Sequence, residues 1–348
     1  MKLTFRWYGD DDPVTLEKIS QIPNMSGIVS AVYDVAPGGV WSEESIAAIK
    51  EKANKHSLNF EVVESVPVPE EIKLGGKNAD KLIENYKENI VRLGKAGVKC
   101  ICYNFMPVFD WLRSELEHNQ SDGASALAYD EDTVLGMNPL NGDFSLPGWD
   151  ASYKADQVRE LINRYKELGE EGLWKNFEHF LKEIIPVASI AGVNMAVHPD
   201  DPPWGIFGLP RIITGRDSYL RMIDICPEKA NGFTFCTGSL GANPDNDLVK
   251  MAAEFADRIH FLHLRNIKRT GYRKFEEVGH FTDCGSIDMF GIVKSLVMNG
   301  FDGYVRHDHG RMIWGEKGRY GYGLFDRALG AAYINGLFEA IEKCEVHR

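Results

Sequence analysis

The chain lacks any hydrophobic run approaching the ~20 residues that a membrane helix needs, so no membrane span is expected. It lacks a basic stripe. Its 39 lysines and arginines are outnumbered by 51 aspartates and glutamates, a formal net charge of -12. A phosphate-backbone partner is therefore disfavoured, and no nucleic acid is expected. No CxxC pair occurs among Cys100, Cys102, Cys226, Cys236, Cys284 and Cys344. Scattered thiols in a chain of 348 residues read as reduced and cytoplasmic. The start, Met1 to Tyr8, has no signal-peptide apolar core. A GxGxxG fingerprint after the first strand is missing, which counts against an open doubly wound dinucleotide-binding sheet. No short-period repeat and no second domain stand out, so residues 1–348 are read as one domain.

What is present is an alternation. Short apolar runs of strand length recur between helical patterns: Leu3–Tyr8, Gly27–Asp34, Phe60–Glu64, Val98–Phe105, Gly192–Val197, Gly232–Cys236, Ile259–Arg265 and Gly303–Asp308. About eight βα units in a chain of this length predict a closed (β/α)8 TIM barrel. One connection breaks the rhythm. Residues 107–150, after the fourth strand, are long, aperiodic and aromatic, with Trp111, Tyr129, Phe144 and Trp149. This insertion is expected to be a lid or a subunit contact, because such loops in compact domains are usually functional. A long helical stretch follows to about Ile190, with Gly172 and Pro186 as expected interruptions, and a polar loop is expected after the seventh strand.

Alternate residues of a barrel strand point inward and outward. Assigning the bulky apolar set to the outside leaves His198, Cys236, His263 and Asp308 inward, near the C-terminal ends of four successive strands. Active sites of such barrels lie at that end. Two imidazoles, a thiolate and a carboxylate suit a transition metal such as Fe(II), Zn or Co better than Mg or Ca. The same parity turns His260 and His307 outward, while His309 lies past the strand and is free to enter the site. Arg6, Tyr8, Asn104 and Arg265 fall on the inward side and are candidates for binding substrate hydroxyls or a carboxylate.

The run His198-Pro199-Asp200-Asp201-Pro202-Pro203, the Phe235-Cys236-Thr237-Gly238-Ser239 turn, His263-Leu264-Arg265-Asn266, Asp308-His309-Gly310-Arg311 and the opening Phe5-Arg6-Trp7-Tyr8-Gly9 together resemble the mannonate dehydratase family. The likeness spans essentially the whole chain. It implies a xylose-isomerase-like barrel and dehydration of D-mannonate, a small sugar acid, to 2-keto-3-deoxy-D-gluconate in hexuronate (glucuronate) breakdown. It also implies Mn2+ or Fe2+ held by His198, Cys236, His263 and Asp308, and a catalytic tyrosine at Tyr322, with Tyr320 as the neighbouring alternative. Arg311 is expected to pair with the substrate carboxylate or to favour the Tyr322 phenolate, and His309 is the alternative base. A homodimer is expected. The competing readings are a metal-dependent sugar isomerase or epimerase on the same barrel, disfavoured by the Cys ligand, and a non-catalytic sugar-binding protein.

Overall fold

The computed structural model describes residues 1–140, 146–147 and 155–346. Eight parallel strands close a barrel: β1 (Lys2–Arg6), β2 (Gly27–Ser30), β3 (Asn59–Glu64), β4 (Cys100–Tyr103), β7 (Asn194–Val197), β8 (Asn231–Cys236), β9 (Ile259–His263) and β12 (Tyr304–Arg306). Pairing of Lys2 with Tyr304 joins the last strand to the first. Four more strands, β5 (Glu115–Asn119), β6 (Ser125–Asp130), β10 (Asn266–Gly271) and β11 (Lys274–Val278), form a separate antiparallel sheet in the order β10-β11-β6-β5.

Side-chain parity builds the barrel as expected. Val29, Val62, Cys100, Cys102, Ala196, Phe261 and Tyr304 fill its interior. Phe5, Met195, Val197, Phe233, Phe235, Leu262 and Val305 join a second, larger apolar cluster that also contains the residues of the surrounding helices. Burying each such large side chain stabilises the fold by about 1.5–3 kcal/mol. Among the described residues, no helix is long and apolar enough to cross a membrane.

The second sheet corrects the expectation of a polar loop after the seventh barrel strand. That segment is a hairpin, β10 with β11, and it pairs with β6 from the insertion. Each hairpin strand turns few apolar residues inward, chiefly Ile267 and Phe275, while Lys268 and the Arg273–Lys274 corner face outward. With so little alternation the strand signal is weak. Phe275 stacks on its register partner Tyr129, with ring centroids 5.5 Å apart. Of the aromatics expected to pack in the insertion, Phe144 and Trp149 lie outside the described residues.

The long helix Ala155–Ala191 is broken at Gly169, not at Gly172, and Pro186 sits inside it. Gly169 has φ 68° and ψ 177°, a region essentially reserved for glycine. Gly169→Ala should therefore cost about 1–3 kcal/mol of stability although no atom lies within 4 Å of the added Cβ. Gly172→Ala meets only the flexible end of Leu168 and should cost less. Urea unfolding of both variants checks this; equal costs would mean that the break is not conformationally demanding.

Candidate active site

The C-terminal rim of the barrel encloses a cleft of about 750 Å³, lined among others by Arg6, Tyr8, Glu64, Asn104, Asp110, Trp111, His198, Arg306, Asp308, His309 and Tyr322. His198 follows β7 directly, Cys236 and His263 end β8 and β9, and Asp308 lies just past β12. His198 donates from Nδ1 to the Pro199 carbonyl at 2.7 Å, which leaves Nε2 facing the site. The ligand atoms of His198, Cys236 and His263 all lie within 4.8 Å of one another. Asp308 stands slightly apart from this trio. Its Oδ2 is 3.7 Å from Cys236 Sγ and its Oδ1 is 3.7 Å from His263 Nδ1. His263 Nδ1 is buried without a hydrogen-bond partner, while Asp308 Oδ1 pairs with Arg306 Nη2 at 2.7 Å. Donor atoms of N, S and O type converging on one point, with His263 Nδ1 among them unsatisfied, fit a borderline divalent transition metal.

The electrostatics fit the same reading. Burial opposes charge on His198, yet Cys236, Asp308 and Glu64 raise its pKa to about 9. Burial pushes the Cys236 thiol up, but Arg265 and His198 bring it below its usual value against Asp308. Asp308 is held well below the carboxylate range, despite burial, by His309, Arg306, His263 and Arg265.

Around this centre lies a buried ionic network. Arg113 Nη1 and Nη2 donate to the two oxygens of Asp201 at 2.8 and 3.0 Å, and Nη2 donates to Glu277 at 2.8 Å. Arg265 reaches Asp201 and Glu277 with its two Nη atoms and Asp308 with Nε, the last at 2.8 Å. Glu277 also accepts from His309 Nδ1 at 2.8 Å, and His309 Nε2 meets the Tyr322 hydroxyl at 2.8 Å. Burial raises the Glu277 carboxyl, but His309, Arg265 and Arg113 hold it down to about 2.

Arg265 lines the cleft, and each of its nitrogens also faces a carboxylate of the network. Arg311 is tied to Asp122 at 2.9 Å and Asp326 at 3.0 Å, away from the cleft lining. The guanidiniums that act on Tyr322 are those of Arg306, Arg6 and Arg327, and they are outweighed. Burial, Tyr8 and Asp308 push the Tyr322 phenol well up, which favours the neutral hydroxyl. Tyr320 is 38% exposed and interacts with Glu117. His260 meets the Lys229 carbonyl at 2.8 Å and His307 packs on Phe5 at 4.5 Å, both outside the ligand group.

Glu64, Asp110, Asp201, Arg113 and Glu277 were not singled out by the pattern. Glu64 was within reach of it: two residues beyond inward Val62, it shares that residue's parity. Glu277 was hidden with its strand.

A closed parallel barrel whose C-terminal rim gathers metal-ligating and acid–base side chains in one cleft defines a (β/α)8-barrel enzyme with a candidate metal centre. The family model described as D-mannonate dehydratase matches residues 1–348, and the chain belongs to that family. A protein of Oceanobacillus iheyensis named mannonate dehydratase is 53% identical over 342 residues, covering 98% of each chain. The crystal structure of mannonate dehydratase from Streptococcus suis serotype 2 matches with a TM-score of 0.91 at 46% identity, over 99% of this chain and 94% of that one. D-psicose 3-epimerase from Clostridium cellulolyticum H10, at 13% identity, a TM-score of 0.58 and coverage of 98% and 99%, shares the fold alone.

Two outcomes follow for this centre. Cys236→Ala and His263→Ala should lose bound Mn2+ while keeping the far-ultraviolet circular dichroism of the parent; full occupancy in both would remove these ligands from the assignment. Metal binding should also release protons and weaken as pH falls from about 8 to about 6, because His198 must be neutral to ligate. Separately, Arg113→Met leaves Asp201 and Glu277 short of a buried partner and should cost about 3–5 kcal/mol, measured by urea unfolding. A loss under about 1 kcal/mol, the range of a surface ion pair, would mean that the network is not structurally coupled to folding.

Proposed function

We propose that the chain dehydrates D-mannonate to 2-keto-3-deoxy-D-gluconate, as a hydro-lyase of hexuronate (glucuronate) breakdown. The observation that carries this reading is the hydrogen-bonded line Glu277–His309–Tyr322, which ends in the same cleft as His198 and Asp308. Elimination of water from an aldonate must take a weakly acidic proton from C2 and return a proton to the departing C3 hydroxyl. The resulting enol then becomes the 2-keto acid. Such chemistry needs a base and an acid close together.

His309 and Tyr322 supply both. Ionised Glu277 only accepts, so His309 Nδ1 carries a proton, and it is the only ring proton whenever the ring is neutral. His309 Nε2 is then the basic atom, and the neutral Tyr322 hydroxyl beside it is the acid. Proton exchange across their 2.8 Å contact resets the pair. The substrate carboxylate is assigned to Arg6, whose Nε and Nη1 are buried without hydrogen-bond partners and whose closest carboxylate, Glu64, is 3.7 Å away. Tyr8, which packs edge-on against Tyr322 at 5.0 Å, and Asn104 contribute polar contacts to the hydroxyls.

His198, Cys236, His263 and Asp308 are the residues that would hold Mn2+ or Fe2+. A divalent metal there polarises substrate oxygens and stabilises the negative charge that develops after C2 deprotonation. A homodimer in the cytoplasm, with residues 107–150 near the cleft or the subunit contact, completes the reading. Trp111 of this segment already stands 5.9 Å from His309.

The test is a panel of aldonates assayed for 2-keto-3-deoxy acid. D-mannonate should be turned over best, and a protein active only in aldose–ketose exchange would overturn the reading. Tyr322→Phe should lower kcat roughly 10²–10⁴-fold, the range for a positioned acid or base, with metal content unchanged. Tyr320→Phe should leave kcat near the parent value. The reverse order would move the role to Tyr320.

A further inference from the structure

We propose that Glu64 is the positioning residue that makes His263 competent to ligate, by accepting the hydrogen bond from its outer nitrogen. The inference rests on the metal site assigned above and concerns a residue outside that ligand set.

His263 is fully buried. Its Nδ1 faces Asp308 and the ligand group. Its Nε2 faces away, with Arg306 Nε at 2.9 Å and Glu64 Oε2 at 3.6 Å. A guanidinium N–H only donates, so at 2.9 Å His263 Nε2 must offer its lone pair. The one proton of the neutral ring then lies on Nδ1, the atom that must be bare to bind a metal. The arrangement with Arg306 on Nε2 and a metal on Nδ1 is therefore self-contradictory. Ligation at Nδ1 moves the proton to Nε2, which turns this buried atom into a donor pointing at another donor.

Glu64 resolves the conflict. It comes from the end of β3, four strands from β9 in either direction around the barrel, and reaches His263 across the interior. Its Oε1 accepts from Arg306 Nη2 at 2.9 Å, while its Oε2 is buried without any hydrogen-bond partner. A small side-chain rotation closes 3.6 Å to the ordinary hydrogen-bond distance of about 2.9 Å. Arg306 keeps its contact to Glu64 Oε1 and yields the imidazole. The result is a carboxylate–histidine–metal arrangement, in which the outer acceptor fixes the ring's tautomer and orientation. Glu64, Cys102 and His263 also lie within 4.8 Å of one another. They are not read as a second metal site, because Arg306 Nη2 already donates to Glu64 Oε1, and Thr234 Oγ1 donates to Cys102 Sγ at 3.1 Å.

The experiment measures Mn2+ affinity by chelator competition at one pH, with metal stoichiometry and thermal melting recorded for every variant. Glu64→Met, which removes the acceptor, should weaken Mn2+ binding about 10–100-fold, the usual effect of losing such an outer partner, with one metal still bound at saturation. Glu64→Gln keeps an acceptor oxygen at nearly the same volume and should fall between Glu64→Met and the parent. It also carries the test if Glu64→Met does not fold. In Co2+-loaded Glu64→Gln the thiolate charge-transfer band should persist, because Cys236 still ligates. Parent-like affinity in the folded variants overturns the proposal. So does a drop from two metals per chain to one, which would make Glu64 a ligand. Failure of the parent itself to bind metal would instead overturn the assigned metal site on which the proposal rests.

Discussion

The Arg265 guanidinium is the contact on which the rim of the barrel depends. It is almost fully buried and faces three carboxylates from three separate segments: Asp201 after β7, Glu277 on β11 and Asp308 after β12. Arg113 of the insertion adds a second guanidinium to two of the same acids. Burying such charges costs several kcal/mol per ion unless geometry and hydrogen bonding are nearly complete. None of these groups tolerates the loss of its partners, so the loops that carry them are bound to one another. The second sheet is thus not an appendage. Its Glu277 pairs with Arg265 after β9 and with Arg113 of the insertion, which ties the sheet to a residue that lines the cleft.

The same field sets the chemistry of the groups it surrounds. Arg265 is the largest influence lowering the Cys236 thiol against the effect of burial, and it helps to keep Asp308 ionised. Both are the states in which these side chains ligate metals. Glu277, held at about 2, stays a carboxylate at neutral pH and so acts purely as an acceptor for His309. One cluster therefore adjoins the candidate metal ligands on one side and the proposed acid–base pair on the other.

How much of this was legible in the sequence follows the range of the interactions. Barrel strands are local objects with a period of two, and that period alone places His198, Cys236, His263, Arg6 and Tyr8 at the rim. Glu64 obeys the same rule and was available to it. Arg265 and Arg311 are also correctly located along the chain, but their purpose depends on which carboxylates reach them. Asp201 meets Arg265 from 64 positions away and Asp122 meets Arg311 from 189. No local pattern encodes such pairings. The β10–β11 hairpin stayed hidden because its partner β6 lies in the insertion, so its pairing could not be anticipated from either segment alone.

The neutral state of Tyr322 changes the kind of catalyst this cleft can be. A phenolate would need nearby positive charge, and the expected guanidinium, Arg311, is committed elsewhere. Arg306 acts in that direction, but burial, Tyr8 and Asp308 outweigh it. A phenol kept protonated in this way is a poor base and a well-placed acid. On the proposed reading the base is its hydrogen-bond partner His309, whose other nitrogen is occupied by Glu277. On that reading, the direction of proton flow depends on Glu277, a carboxylate outside the cleft lining. It is delivered by a sheet outside the barrel and held in its charged form by the two arginines that lock that sheet in place.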